Sequence, residues 1–102
     1  MTEIKLDKHS EAYKANGITR NLIVLSEELA ALGVDQQAAS IRYEESTRFR
    51  YLEFTSRERH VVVRANNEGV YRCEIDGTCA WAVCPDSVRH IMQKEIVTIL
   101  NG

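Results

Sequence analysis

Three cysteines and a histidine crowd the last third of the chain: Cys73, Cys79, Cys84 and His90 fall within eighteen residues. All four are side chains that zinc accepts. Five, four and five residues separate them in turn, which lacks the close cysteine pair that grips zinc from one tight turn. Two-residue periodicity places Cys73 and Cys79 beside Ile75 and Trp81 on a core-facing side, where a thiol packs as a small hydrophobe. No metal and no cofactor are expected. Cys84 precedes Pro85, the first expected residue of a helix. A thiol at that N-cap would sit by unpaired backbone N–H groups and gain thiolate character. With His90 and Asp86 nearby, a thiol-dependent enzyme using Cys84 can be drawn. Asp86 opposes the thiolate, however, and nothing in the spacing brings His90 to the sulfur.

Arginine is the second concentration. Seven of the nine arginines lie between Arg42 and Arg72, and none of the four lysines does. If Val61, Val63, Tyr71 and Cys73 point into a core, then His60, Arg64 and Arg72 point to solvent. Arg48 and Arg50 join them if Phe49 and Tyr51 are the buried pair of their strand, although Leu52 and Phe54 compete for that place. A guanidinium fork binds carboxylate or phosphate through two hydrogen bonds at once. The expected partner-binding set is therefore Arg48, Arg50, His60, Arg64 and Arg72. The competing reading is a solvated face whose arginines pair across strands with Glu53, Glu58, Glu68 and Glu74. No glycine-rich phosphate loop, nucleophile elbow or paired helical histidine is present, so no catalytic residues and no enzymatic activity are expected.

These side chains need elements to hold them. Ile18, Leu22, Leu25, Leu29 and Leu32 recur at steps of four and three, the stripe of a helix running from about Ser10 to Leu32, with Gly33 placed for a left-handed C-cap. Asn16-Gly17 divides a helix pair there or is tolerated inside one helix. Ile23, Val24, Ala30 and Ala31 lie off the stripe, so the helix is apolar around most of its circumference. That predicts cover on two sides, and Leu22, Ile23, Val24, Ala30 and Ala31 are the expected seam of a homodimer. Asp35 can cap a short helix over Gln36 to Glu45, with Ala38 and Ile41 inward. Four strands follow, over Thr47–Thr55, Arg59–Ala65, Val70–Ile75 and Thr78–Val83, the last two joined by Asp76-Gly77, a strong hairpin signal. Pro85 opens a last helix carrying Val88, Ile91, Met92, Ile96, Ile99 and Leu100.

The expected fold is thus α+β: an N-terminal helix or helix pair, a four-stranded antiparallel meander and a C-terminal helix, with the helices on one face of the sheet. Its 102 residues suit one domain spanning 1–102, with 1–8 a flexible arm or short edge strand. Hydrophobic residues at 44% and charged residues at 27% are the balance of a chain that buries a core. A net charge of −2 excludes a global field drawing it to nucleic acid or anionic lipid. The stretch without charge from Gly77 to Pro85 is too short to cross a bilayer. An odd number of cysteines and no apolar leader in Met1–Lys5 point to the cytoplasm.

In element order the outline resembles double-stranded RNA-binding domains. Those domains carry lysines at the start of the last helix, whereas Pro85-Asp86-Ser87-Val88-Arg89 places an acid there, which argues against that function. The outline also resembles small secretion chaperones and other dimeric adaptors. The expectation is a small interaction, adaptor or inhibitor protein that binds a macromolecular partner as a homodimer. The alternative is a nucleic-acid-binding module using the arginine-bearing sheet, which requires Phe49, Tyr51 and Tyr71 to be exposed.

Overall fold

The computed structural model describes residues 17–101, so the arm at 1–8 and the helical turns expected from Ser10 lie outside the described residues. Helix α1 spans Gly17–Ala31. Leu22, Leu25 and Leu29 of the predicted stripe are completely buried. The helix ends in a Schellman motif: Gly33, with φ of 92°, donates to the Ala30 carbonyl at 3.0 Å, and Val34 N–H donates to the Leu29 carbonyl at 3.0 Å. Only a residue that tolerates positive φ closes this cap cheaply, and the buried Val34 supplies its apolar contact. Leu32, expected on the stripe, lies past the last turn and is 45% exposed.

Strands β1 (Gln37–Glu44), β2 (Phe49–Ser56), β3 (Arg59–Ala65), β4 (Val70–Ile75) and β5 (Thr78–Pro85) follow. They pair antiparallel in sequence order as a five-stranded meander. A 3₁₀ turn at Asp86–Val88 leads into helix α2, Arg89–Asn101. Both helices lie over one face of the sheet, α1 against β2 and β3 and α2 against β5. The chain is an α+β fold in which, among the described residues, one sheet face is covered and the other open.

The fifth strand corrects the helix expected over Gln36–Glu45. That segment has too few apolar residues to make a helical stripe, whereas as a strand it sets Ile41 opposite Leu52 and buries it. Asp35 caps no helix there; its carboxylate accepts from the Gln37 side chain at 3.2 Å. Gln36 instead ties the loop to α1, donating to the Ser26 carbonyl at 2.8 Å and accepting from the Ser26 hydroxyl.

The register of β2 is settled by β3. Arg57 and Glu58 both adopt positive φ, forming a two-residue turn that brings Ser56 opposite Arg59, Phe54 opposite Val61 and Leu52 opposite Val63. Leu52 and Phe54 are therefore in the core, and Phe49 and Tyr51 lie on the open face. In β5 the alternation breaks at two irregularities: Cys73 pairs with Trp81, but Glu74 pairs with Cys79 and Tyr71 with Cys84. The extra residues turn Cys79 and Val83 outward, against the expectation that both face the core with Trp81. Such bulges also blunt an edge strand against pairing with other chains.

One polar network joins the layers. Arg89 of α2 donates from Nε to Glu28 Oε1 at 2.9 Å and from Nη2 to Glu28 Oε2 at 3.1 Å. Gln93, itself buried, donates to the same carboxylate at 2.7 Å. The remaining arm of Arg89 reaches Asp86 at 3.1 Å, and Asp86 accepts the hydroxyl of the buried Tyr71 at 2.5 Å. Arg89 holds the Glu28 carboxyl below its ordinary range despite partial burial. Burial, with Asp86 adding to it, pushes the Tyr71 phenol far up, so it stays protonated and donates. Arg89→Met is expected to lower unfolding free energy by about 1–2 kcal/mol, since Glu28 and Asp86 lose a charged partner that is only partly screened. Because the Glu28 carboxyl is depressed, its contribution is present above about pH 5 and is lost as pH falls through the folded value. Denaturant titrations of both proteins at neutral and acid pH check this: the difference should shrink on acidification, and an equal difference at both would refute the assignment.

Candidate functional site

The open face presents the outward residues of five strands. One row runs Arg42, Tyr51, Arg64 and Arg72, each opposite the next. The neighbouring row holds Glu53, Val62, Glu74 and Cys79. Of the expected partner-binding residues, His60, Arg64 and Arg72 come together here. Arg48 and Arg50 do not. Arg48 sits in the β1–β2 turn at φ of 62°. Arg50 shares the covered side with Leu52, opposite Ala65, and stacks on Tyr43 at 4.3 Å. Both displacements follow from the burial of Leu52 and Phe54 rather than Phe49 and Tyr51. Arg42 is a member of this face that sequence reasoning did not place there, whereas Phe49 and Tyr51 join it because Leu52 and Phe54 take the core, and Glu53 pairs there as the competing reading expected. Arg42 is legible only once its segment is read as a strand.

The side chains divide into pairs. Glu53 receives Arg42 through Nη2 at 2.8 Å and Nε at 3.1 Å, and His60 Nε2 lies 2.5 Å from its other oxygen. Burial works against the charge on Glu53, but His60 and Arg42 outweigh it and hold the carboxyl below its ordinary range. Arg72 Nε meets Glu74 at 3.1 Å. Arg42 also covers the Tyr51 ring at 5.2 Å, and Tyr51 donates its hydroxyl to Glu44 at 3.3 Å. Arg64 lies over the Phe49 ring at 5.0 Å. The half-buried rings of Tyr51 and Phe49 on this face thus each carry a guanidinium. Tyr71, the third ring that nucleic-acid stacking requires, is completely buried on the other side.

Of the expected dimer seam, Leu22 and Ile23 are completely buried in the chain's own core, because the sheet covers this side of α1. Val24 is half-buried, and Ala30 and Ala31 are exposed. On α2, Met92, Ile96 and Leu100 of the predicted stripe are buried while Ile91 and Ile99 are exposed.

The cysteines part company. Cys73 and Cys84 are buried and Cys79 is exposed, and all three are free. Burial pushes the Cys73 thiol up to about 12 and raises that of Cys84, with Asp86 adding to the latter. Cys84 is the last but one residue of β5, one residue before Pro85, the cap of the 3₁₀ turn, and its Sγ lies 3.5 Å from the Pro85 carbonyl. The depressed thiol expected of a helix N-cap is replaced by an elevated one. Among the described residues no group of three His, Cys, Asp or Glu side chains is placed to hold a metal ion, and no helix is long and apolar enough to cross a membrane.

The fold and face define a class, an α+β chain with one covered and one open sheet surface. Comparison with protein-family models, with curated proteins and with solved structures finds no match to this chain.

Under native conditions Cys79 is expected to alkylate at least about a hundredfold faster than Cys73 or Cys84, which react only after unfolding. Pulse labelling with isotopic iodoacetamides and peptide mass spectrometry reads this directly. Modification of Cys84 at the rate of Cys79 would contradict its burial and revive a nucleophilic role.

Proposed function

We propose that the chain is a non-catalytic interaction protein, an adaptor or inhibitor, that engages a protein partner through the open face of its sheet. The observation that carries this reading is the composition of that face: a row of arginines layered on Tyr51 and Phe49, flanked by Glu53, Glu74 and the exposed Val83. Arginine and tyrosine are the residues that interfaces favour, since each joins apolar area to a directional polar group. The face is also held still from behind, because every second residue of β2, β3 and β4 is locked in the core. A partner would meet side chains that have already lost much of their freedom, which lowers the entropic cost of binding.

Nucleic acid suits the face less well. Its rings lie beneath guanidinium groups rather than open to bases, and Glu44, Glu53 and Glu74 would face the phosphates. Self-association belongs to the same reading, with its seam on the exposed apolar residues Ala31, Leu32, Ile91 and Ile99 rather than on Leu22 and Ile23. Three unpaired cysteines accord with a cytoplasmic location.

Two measurements test the proposal. A photo-crosslinking amino acid replacing Val62 on the open face should yield protein adducts in the source cells, whereas the same group replacing Glu95 on α2 should not. Adducts that are digested by nuclease, or adducts from Glu95 alone, would refute it. Light scattering across a dilution series should give a mass near twice 11.6 kDa, and a mass that stays at the single-chain value would end the dimer part of the reading.

A further inference from the structure

Between β2, β3 and the far edge of the sheet the open face dips into a hollow of about 180 Å³, lined by Phe49, Arg64, Asn66, Val70, Arg72 and Val83. We infer that this hollow is a carboxylate-binding pocket, and that it takes an acidic side chain from an extended segment of the protein partner. The inference rests on the reading of the open face as a protein-binding surface.

Among the described residues Arg64 is the arginine of this face without a carboxylate partner, since the third carboxylate, Glu44, is taken up by the hydroxyls of Ser46, Thr47 and Tyr51. Arg42 and His60 share Glu53, and Arg72 has Glu74. Arg64 stands directly across the strands from Arg72, so two guanidinium groups face each other with one carboxylate between them. Like charges opposite one another in a sheet are destabilising. The partner of Arg64 among the described residues is the Phe49 ring, which steadies the cation without neutralising it. A carboxylate brought in from outside would meet the free fork of Arg64 and the terminal nitrogens of Arg72, whose Nε alone engages Glu74.

Hydrogen-bonding capacity points the same way. The Asn66 carbonyl oxygen already accepts the backbone N–H groups of Glu68 at 2.9 Å and Val70 at 3.1 Å. What Asn66 has left to offer is its amide N–H groups, a further donor and no acceptor. The polar lining therefore asks for an anion. The rest of the lining is apolar: Phe49, Val70 and Val83, the last 68% exposed, fit the methylene stem of a glutamate and an apolar neighbour beside it. The hollow falls below the range of roughly 300–1,000 Å³ usual for small-molecule sites, so it suits one side chain rather than a whole cofactor. A single guanidinium without a carboxylate partner, set among Glu44, Glu53 and Glu74, also matches one carboxylate better than a run of phosphates.

The test uses the full chain and three probes: an acetylated, amidated heptapeptide alternating valine and glutamate, its glutamine counterpart, and a heptathymidylate. Nuclear magnetic resonance titration should show the glutamate peptide shifting the Arg64 side-chain N–H and the Val83 methyls. The glutamine peptide should bind about tenfold more weakly or not at all, and Arg64→Gln should cause a similar loss while Arg57→Gln, in the β2–β3 turn, does not. Denaturation of Arg64→Gln should show stability equal to or above that of the parent, since a like-charge pair is relieved. Equal binding of both peptides, shifts confined to the helices, or a marked destabilisation by Arg64→Gln would overturn the pocket. So would tighter, salt-sensitive binding of the oligonucleotide at the same residues. Failure here with protein adducts still forming at Val62 would reject the pocket alone, whereas loss of those adducts would reject the interaction face itself.

Discussion

Burial of Leu52, Phe54, Val61, Val63, Tyr71 and Cys73 beneath α1 and α2 is the contact on which the remainder of the chain depends. A sheet of five strands has two faces, and two helices of 15 and 13 residues cover only one. Each fully buried aliphatic or aromatic side chain contributes about 1.5–3 kcal/mol by leaving water, and those contributions all accrue on the same side. The strands are thereby fixed in register from behind. Among the described residues no helix buries the other face, whose side chains tolerate both water and a partner.

Helix placement in turn rests on a clamp that is polar rather than apolar. Glu28, Arg89 and Gln93 lie where the C-terminal half of α1 passes the N-terminal half of α2, and Asp86 extends the chain of hydrogen bonds to Tyr71 inside the sheet. Apolar packing is non-directional, so leucines and isoleucines alone would let two short helices slide. A bidentate guanidinium–carboxylate pair fixes both distance and rotation. The same clamp accounts for the acid at the start of the last segment: Asp86 is committed to Tyr71 and Arg89, and it raises rather than lowers the neighbouring Cys84 thiol.

Much of this was legible in the sequence, and the unread parts have physical reasons. The leucine stripe of α1, its glycine cap, the Asp76-Gly77 turn and the inward set of β3 and β4 each leave a local pattern that tertiary context did not override. β1 leaves almost none, because a strand that buries Ile41 and Ser40 alone among its eight residues has neither a stripe nor an alternation to detect. The Arg57-Glu58 turn is disguised, since neither residue is of the type that signals positive φ. Had that turn been recognised, the two-residue loop would have aligned Phe54 with Val61 and settled the tie with Phe49 and Tyr51. Arg48 and Arg50 would then have left the candidate face, and Arg42 would have entered it only with β1. The bulges of β5 are invisible to any strict period of two, and they moved Cys79 and Val83 across the sheet. The network of Glu28 and Arg89 spans sixty-one positions, far beyond the reach of local spacing.

The open face explains why arginine, not lysine, populates the middle of the chain. An ammonium on a flexible stem would stay fully hydrated above the strands. A guanidinium can lie flat on Tyr51 or Phe49, shield the ring from water and still present its edge to an anion. Stacking therefore solves two problems of an uncovered sheet at once: it hides aromatic surface that a third helix would otherwise have to cover, and it holds charge in fixed positions. Where a carboxylate of the same chain completes the pair, as Glu53 does for Arg42, the result is a neutral, self-contained surface. Where none does among the described residues, as at Arg64, the same arrangement leaves a guanidinium fixed over a ring with its edge open to water or to the anion proposed above.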